Sequence, residues 1–221
     1  MNDLIYKDLH LIEYSKALQY QELLFKELII NKDAAGHLII CEHPNVFTLG
    51  KSGDNNNFLI EPDSLKKIDA SFVKTNRGGD ITYHGPGQIV GYPILNLKKF
   101  NISIKEYIYN IEEVIIKTLS EYGIKGVHYN KATGVWLDID NPNKIRKICA
   151  IGVKVSKFIT MHGFALNTNT NLNYFSYINP CGFTDKGVTS IEKEIGYKVN
   201  IEDVKKQIKQ YFIDIFDAKF Q

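Results

Sequence analysis

The sequence predicts an α+β domain, a mixed and largely antiparallel sheet flanked by helices. Three observations carry that expectation. Apolar residues recur at helical spacing in three stretches, and short β-type runs bounded by turn residues lie between them. The two kinds of segment alternate irregularly, without the regular βαβ repeat of a doubly wound sheet. With 221 residues, 44% hydrophobic and 24% charged, the chain is long enough to bury a core without a disulfide or metal staple. No internal repeat or flexible linker divides it, so residues 1–221 are expected to form a single domain, with a small C-terminal piece from about residue 200 as the alternative.

The first helix is expected over 14–30, with Ala17, Leu24 and Leu28 on one face and Leu18 and Phe25 beside them. Strand-like runs follow at 38–41, 71–74 and 89–95. The second helix begins at Ser103, because Glu106 completes a capping box, and Ile104, Ile108, Ile111, Ile115 and Tyr122 keep helical spacing. Further runs cover 134–138, 147–155 and 159–166, and the last two are close enough to form a hairpin. A third helix starts near Asn200 and carries Val204, Ile208, Tyr211 and Ile215 on one stripe, while Lys198 and Val199 are placed to close a short strand.

A formal net charge of +2 gives no support to nucleic acid or membrane as the main partner. Three widely spaced cysteines, Cys41, Cys149 and Cys181, form no C-x-x-C pair and fit a reducing cytoplasm. The N-terminal residues lack an apolar signal region, and no apolar run approaches the roughly 20 residues that span a bilayer. A soluble cytoplasmic protein is the expectation.

Four segments carry candidate chemistry. The first is 77–88, RGGDITYHGPGQ, where Gly78, Gly79, Gly85 and Gly87 allow backbone to approach a ligand and Arg77, Thr82, His84 and Gln88 offer polar heads. It lacks the lysine and hydroxyl of a P-loop, and its composition fits a plain turn between strands equally well. The second is Asn179-Pro180-Cys181-Gly182, in which proline and glycine favour a tight turn that would present the thiol as a nucleophile. A lone cysteine is more often a small buried hydrophobe, so both readings stay open. The third opens an apolar run with Lys147, either a strand-edge lysine or a cation facing inward beside a thiol, where it would favour the thiolate. The fourth is 161–167, MHGFALN, suited to wall an acyl-chain tunnel or to fill core. Cys41, His43, His84, Cys149 and His162 are possible metal ligands, but only Cys41 and His43 are close and no zinc-type spacing is completed; no metal is expected.

Together these segments resemble the lipoyl(octanoyl) transferase family. The likeness runs from EHPNVFTLG at 42–50, through 77–88 and 147–152, to INPCG at 178–182. It implies a domain like the catalytic core of biotin and lipoate protein ligases. It also implies an acyltransferase of protein lipoylation and lipoate biosynthesis that needs no cofactor. Octanoyl-acyl-carrier protein would be the donor. The lipoyl domains of 2-oxoacid dehydrogenases and the glycine cleavage H protein would be the acceptors. By position, Cys181 matches the family's acyl-thioester cysteine and Lys147 the lysine that lowers the thiol's pKa. Arg77, Gly78, Gly79, Asp80, Ile81, Thr82, Tyr83 and His84 match substrate-binding positions, as do Ala150, Ile151, Gly152, Gly163, Phe164 and Ala165. Asn45 departs from a common second proline, which is expected to alter only a turn, and Cys149 matches no family nucleophile.

Overall fold

The structure, a computed structural model, describes residues 2–179 and 186–221, excepting the side chains of Pro62 and Asp63. Cys181 therefore lies outside the described residues. The strands are β1 (Asn2–Leu11), β2 (Gly36–Glu42), β3 (Val46–Leu49), β4 (Ser71–Lys74), β5 (Ile81–His84) and β6 (Gln88–Ile94), then β7 (Val127–His128), β8 (Val135–Leu137), β9 (Arg146–Ser156), β10 (Ile159–Asn167), β11 (Gly187–Val188) and β12 (Ala218–Phe220). The helices are α1 (Tyr14–Ile30), α2 (Ile104–Ser120), α3 (Ile191–Ile195) and α4 (Ile201–Phe216). Among the described residues the main sheet runs β12-β1-β2-β6-β10-β9-β8-β7, with β11 added to β9, and β4-β3-β5 form a smaller sheet. Pairing is parallel for β12-β1, β1-β2 and β11-β9 and antiparallel elsewhere in the main sheet, so the sheet is mixed and largely antiparallel, as expected.

Alternation along the strands sorts the helices onto two faces. Leu38 and Ile40 of β2, with Leu166 of β10, enter a core shared with α2 and α4. Their neighbours Ile39, Cys41 and Ala165 point the other way, into a core closed by Ala17, Leu24, Phe25 and Leu28 of α1. Helix α1 has the expected bounds. Ser103 and Glu106 make the expected capping box at α2, and Asn200 caps α4 by accepting from the Glu202 amide. The hairpin is present as β9-β10, in unbroken register from Ile159 opposite Ser156 to Leu166 opposite Cys149.

Several expectations need correction. Ile104 is exposed, and α2 buries Tyr107, Ile111, Val114, Ile115 and Leu119 instead. On α4 the buried row is Val204, Ile208, Phe212 and Phe216, leaving Tyr211 and Ile215 at its margin. Residues 198–199 form no strand. The Asn169 side chain takes the place of a strand neighbour there, accepting from the Val199 amide at 3.1 Å and donating to its carbonyl at 2.8 Å. The chain beyond residue 200 joins the main core through α4, and β12 pairs with β1, so it is packed into the whole.

A third, smaller core lies under the β4-β3-β5 sheet. Phe47, Leu49, Ile81, Tyr83 and Ile178 are buried there, with Phe58, Phe72, Tyr174, Phe175 and Tyr177 against them.

Candidate active site

A cavity of about 420 Å³ opens where β5, β6, β9 and β10 meet the 77–80 loop. Of the residues assigned by resemblance, Arg77, Gly78, Gly79, Asp80, Ile81, Thr82, His84, Lys147, Ala150, Ile151, Gly152, Gly163, Phe164 and Ala165 all line it. Tyr83 does not. It points into the aromatic core, stacks on Tyr174 at 4.8 Å and donates from its hydroxyl to Asn45 Oδ1 at 2.8 Å. Asn45 also donates to the Asp69 carbonyl and the Tyr174 hydroxyl, so it ties three segments together and does more than alter a turn.

Glycines let the backbones close around the cavity. A Cβ on Gly163 would sit 2.1 Å from the Gly91 carbonyl oxygen, and one on Gly152 2.8 Å from that of Gly78. Gly79 has φ +83°, a left-handed conformation that disfavours side chains irrespective of any ligand. The loop docks on β9 through the Gly78 amide, which donates to Val153 O at 2.9 Å.

Polar groups around the cavity form a hydrogen-bonded frame. The buried Arg77 guanidinium donates to the Thr48 carbonyl at 2.6 Å and twice to its hydroxyl oxygen. That leaves the Thr48 proton for His84 Nε2 at 3.5 Å, while His84 Nδ1–H donates to Gln88 Oε1 at 2.7 Å. Gln88 in turn donates to Asn167 Oδ1, and Asn167 to Thr189 O. Burial, with His43 nearby, pulls the His84 pKa down to about 3. Burial likewise pulls His43 down to about 4, and its ring spans Ile12 O at 2.6 Å and the Tyr92 hydroxyl at 2.8 Å. Both rings are therefore neutral near pH 7 and serve as dipoles rather than charges.

Asp80 is a strut. Its carboxylate accepts from the Ile81 and Asp54 amides and from Asn57 Nδ2, and Asn57 O accepts from the Asn179 amide at 2.9 Å. The glycine loop is thus tied to the residue that precedes Pro180-Cys181.

Lys147 stands where the cavity meets a small cleft of about 30 Å³, lined also by Trp136, Asn167, Lys186, Gly187 and Val188. Its ammonium lies over the Trp136 ring, 4.6 Å from the centroid. Lys186 is the first described residue after the segment that contains Cys181. Cys41 and Cys149 are fully buried, and burial pushes both thiols well above the ordinary range. Among the described residues, no group of three His, Cys, Asp or Glu side chains is placed to hold a metal ion, and no helix is long and apolar enough to cross a membrane.

Sequence reasoning missed Tyr14, Val90, Tyr92, Ile108, Ala132, Thr133 and Val153, which also line the cavity, as does His162 of the segment read as a tunnel wall. Tyr14 reads as an ordinary helix start, and its role appears only once its ring is seen stacked on His84 at 5.9 Å. His162 carries a readable signal, a histidine inside an apolar run, and the structure buries it with Nε2–H donating to Asn76 Oδ1 at 2.8 Å.

The fold and this site define a class. The chain belongs to the lipoyl protein ligase A/B catalytic domain family, whose pattern matches residues 13–213. Within it the chain is an acyltransferase, similar to proteins named octanoyltransferase. The one from Parabacteroides distasonis is 52% identical over 98% of this chain and 100% of its own length. That from Bacteroides thetaiotaomicron is 50% identical over 91% of this chain and 90% of its own. Among solved structures, a bipartite lipoate protein ligase from Thermoplasma acidophilum shares the fold, with TM-score 0.74 at 14% identity over all of this chain and 86% of that one. The biotin protein ligase of Aquifex aeolicus is more distant, with TM-score 0.52 at 12% identity over 98% of this chain and 69% of that one.

Proposed function

We propose that the protein transfers an octanoyl (or lipoyl) group from acyl-carrier protein to a specific lysine of lipoyl-dependent enzyme domains, through a thioester on Cys181. The observation that carries this reading is the meeting of a cavity of about 420 Å³, walled by the glycine loop and the β9-β10 hairpin, with Lys147 at its junction with the cleft beside residue 186. The Cys181 thiolate attacks the carbonyl carbon of the donor thioester, and the pantetheine sulfur leaves with the electron pair. One thioester replaces another, so this half-reaction is nearly isoenergetic. The acceptor lysine amine then attacks the acyl-Cys181 carbonyl, the cysteine sulfur leaves, and an amide forms. Lys147 serves both halves: its ammonium favours the Cys181 thiolate and gives a proton to the departing pantetheine sulfur, and the neutral amine so formed takes up the proton released by the attacking acceptor amine. Neutral His84 and His162, with tyrosines, glycines and apolar side chains, make up most of the wall offered to the acyl chain, while Arg77, Asp80 and Lys147 bring charge to the same cavity. Acceptors would be the lipoyl domains of 2-oxoacid dehydrogenases and the glycine cleavage H protein, in the cytoplasm.

Because the donor is already activated, the reaction needs no ATP. We expect a lipoyl domain to gain octanoyl mass from octanoyl-acyl-carrier protein in ATP-free buffer. Peptide mapping should find the enzyme-bound acyl group on Cys181, and Cys181→Ala should abolish transfer. Modification that requires ATP and free octanoate or lipoate would replace this reading with a ligase.

A further inference from the structure

The turn that joins β7 to β8 is pinned against the site by contacts that the chemistry above leaves unused. We propose that Trp136, braced by the Glu112–His128–Glu113 cluster behind this turn, positions the Lys147 ammonium for its part in acyl transfer. The inference rests on the reading of Lys147 as a working residue.

Trp136 stands directly opposite Lys147 in the β8-β9 register, so their side chains share a face. The indole is fully buried, lies under the ammonium, and donates from Nε1 to Ala132 O at 2.9 Å. Gly134 packs close to the lysine stem. With φ +119°, it brings the turn so near that a Cβ there would meet Cys149 O at 2.5 Å and Lys147 Cε at 3.5 Å.

What holds the turn is a buried carboxylate of α2. Glu112 Oε1 accepts from the Gly134 amide at 2.8 Å, and Oε2 faces His128 Nδ1 at 2.6 Å. His128 Nε2 reaches Glu113 Oε1 at 2.6 Å, and Tyr109 stacks on the imidazole at 4.4 Å. Both ring nitrogens thus face carboxylates, which the doubly protonated imidazolium satisfies as a donor on each side. The cluster fixes the turn, the turn fixes the indole and the stem of Lys147, and Ala132 and Thr133 of the same turn wall the cavity. A long flexible lysine gains a single direction from this arrangement.

Trp136 is the chain's single tryptophan, so its emission reports on Lys147 without reference to activity. Lys147→Met should change the emission spectrum of the folded protein, while Lys154→Met should leave it as it was. In transfer assays Trp136→Leu should lower kcat about tenfold with little change in the KM for octanoyl-acyl-carrier protein, and Trp136→Phe, which keeps a ring face, should lose less. Glu112→Gln should lower kcat and displace the pH–kcat profile, which a change in folding stability alone would not do. Lys147→Ala is the reference. If it transfers at the wild-type rate, the role given to Lys147 fails, and this proposal with it. If Lys147→Ala is inactive while Glu112→Gln and the Trp136 variants keep wild-type kcat and pH profile, the positioning role is overturned and the reading of Lys147 stands. Should Trp136→Leu not fold, an unchanged emission in Lys147→Met together with an unchanged profile in Glu112→Gln overturns it equally.

Discussion

Gly163 shows how a single missing methyl group shapes the site. It faces Gly152 in the hairpin, and the atom its Cβ would strike is the Gly91 backbone carbonyl of the neighbouring strand, which cannot rotate away. Gly163→Ala should therefore push β10 from β6, costing about 1–3 kcal/mol as overpacked positions do, and should lower the urea midpoint and the transfer rate together. Gly79 is different in kind, because its positive φ makes substitution strained before any ligand is bound. A loss of transfer in Gly79→Val thus mixes backbone strain with blocked binding. The glycines were legible in the sequence as places of close approach, but what each one approaches was not. Tyr83 illustrates the limit from the other side. It lies between two cavity residues in the chain, yet strand alternation sends it into the aromatic core.

At the scale of elements, periodicity located α1, the α2 cap and the β9-β10 hairpin, because each expresses a local rule of spacing or capping. Strand β1 escaped notice. Its sequence, NDLIYKDLHL, places charges along a largely half-exposed strand whose partners β2 and β12 lie far apart in the chain. The β7-β8 turn was equally silent, since its anchor is a carboxylate on α2. That anchor has a pH signature. Burial draws the His128 pKa down, but the Glu113 and Glu112 carboxylates outweigh it, and the net shift is upward. A raised pKa stabilises the fold fully below the ordinary histidine value of about 6.5, and the contribution is lost as pH rises through the raised folded value. The gap in urea midpoint between wild type and His128→Asn should therefore be widest near about pH 6 and close as the solution becomes alkaline. A gap that is constant across this range would mean that the ion cluster adds nothing to stability.

The whole molecule carries an opposite dependence. His43, His84 and His162 are buried with folded pKa values of about 4, 3 and 3, each lowered first by burial. Depressed bases are neutral in the fold and take up protons on unfolding. Their contribution is complete above about pH 6.5 and falls as pH drops toward the folded values, by up to about 1.4 kcal/mol per pH unit for each ring. Unfolding monitored against pH should show stability declining from about pH 6.5, well before most carboxylates titrate. Stability that stays flat down to about pH 5 would mean that these rings are not held neutral. No short motif announces such a cluster. Its members come from residues 43, 84 and 162, and only the fold brings them together: His84 and His162 line the cavity, and His43 packs edge-on against His84.

The aromatic core beneath the small sheet has a consequence for how the protein breathes. It shares little with the two cores on either face of the main sheet, yet its members Ile81, Tyr174 and Ile178 flank the glycine loop on one side and lead into Asn179 on the other. Such a satellite is suited to open as a cooperative unit of its own, at a free energy below that of global unfolding. Hydrogen exchange should reveal a shared, lower protection for the amides of Val46–Leu49, Ser71–Lys74 and Ile81–His84, while those of β2, β6 and β10 exchange only on global unfolding. The cavity wall and the approach to residue 180 would then loosen in a single event. Whatever fills the cavity would exchange through this one unit while the hydrophobic frame of the molecule stays shut.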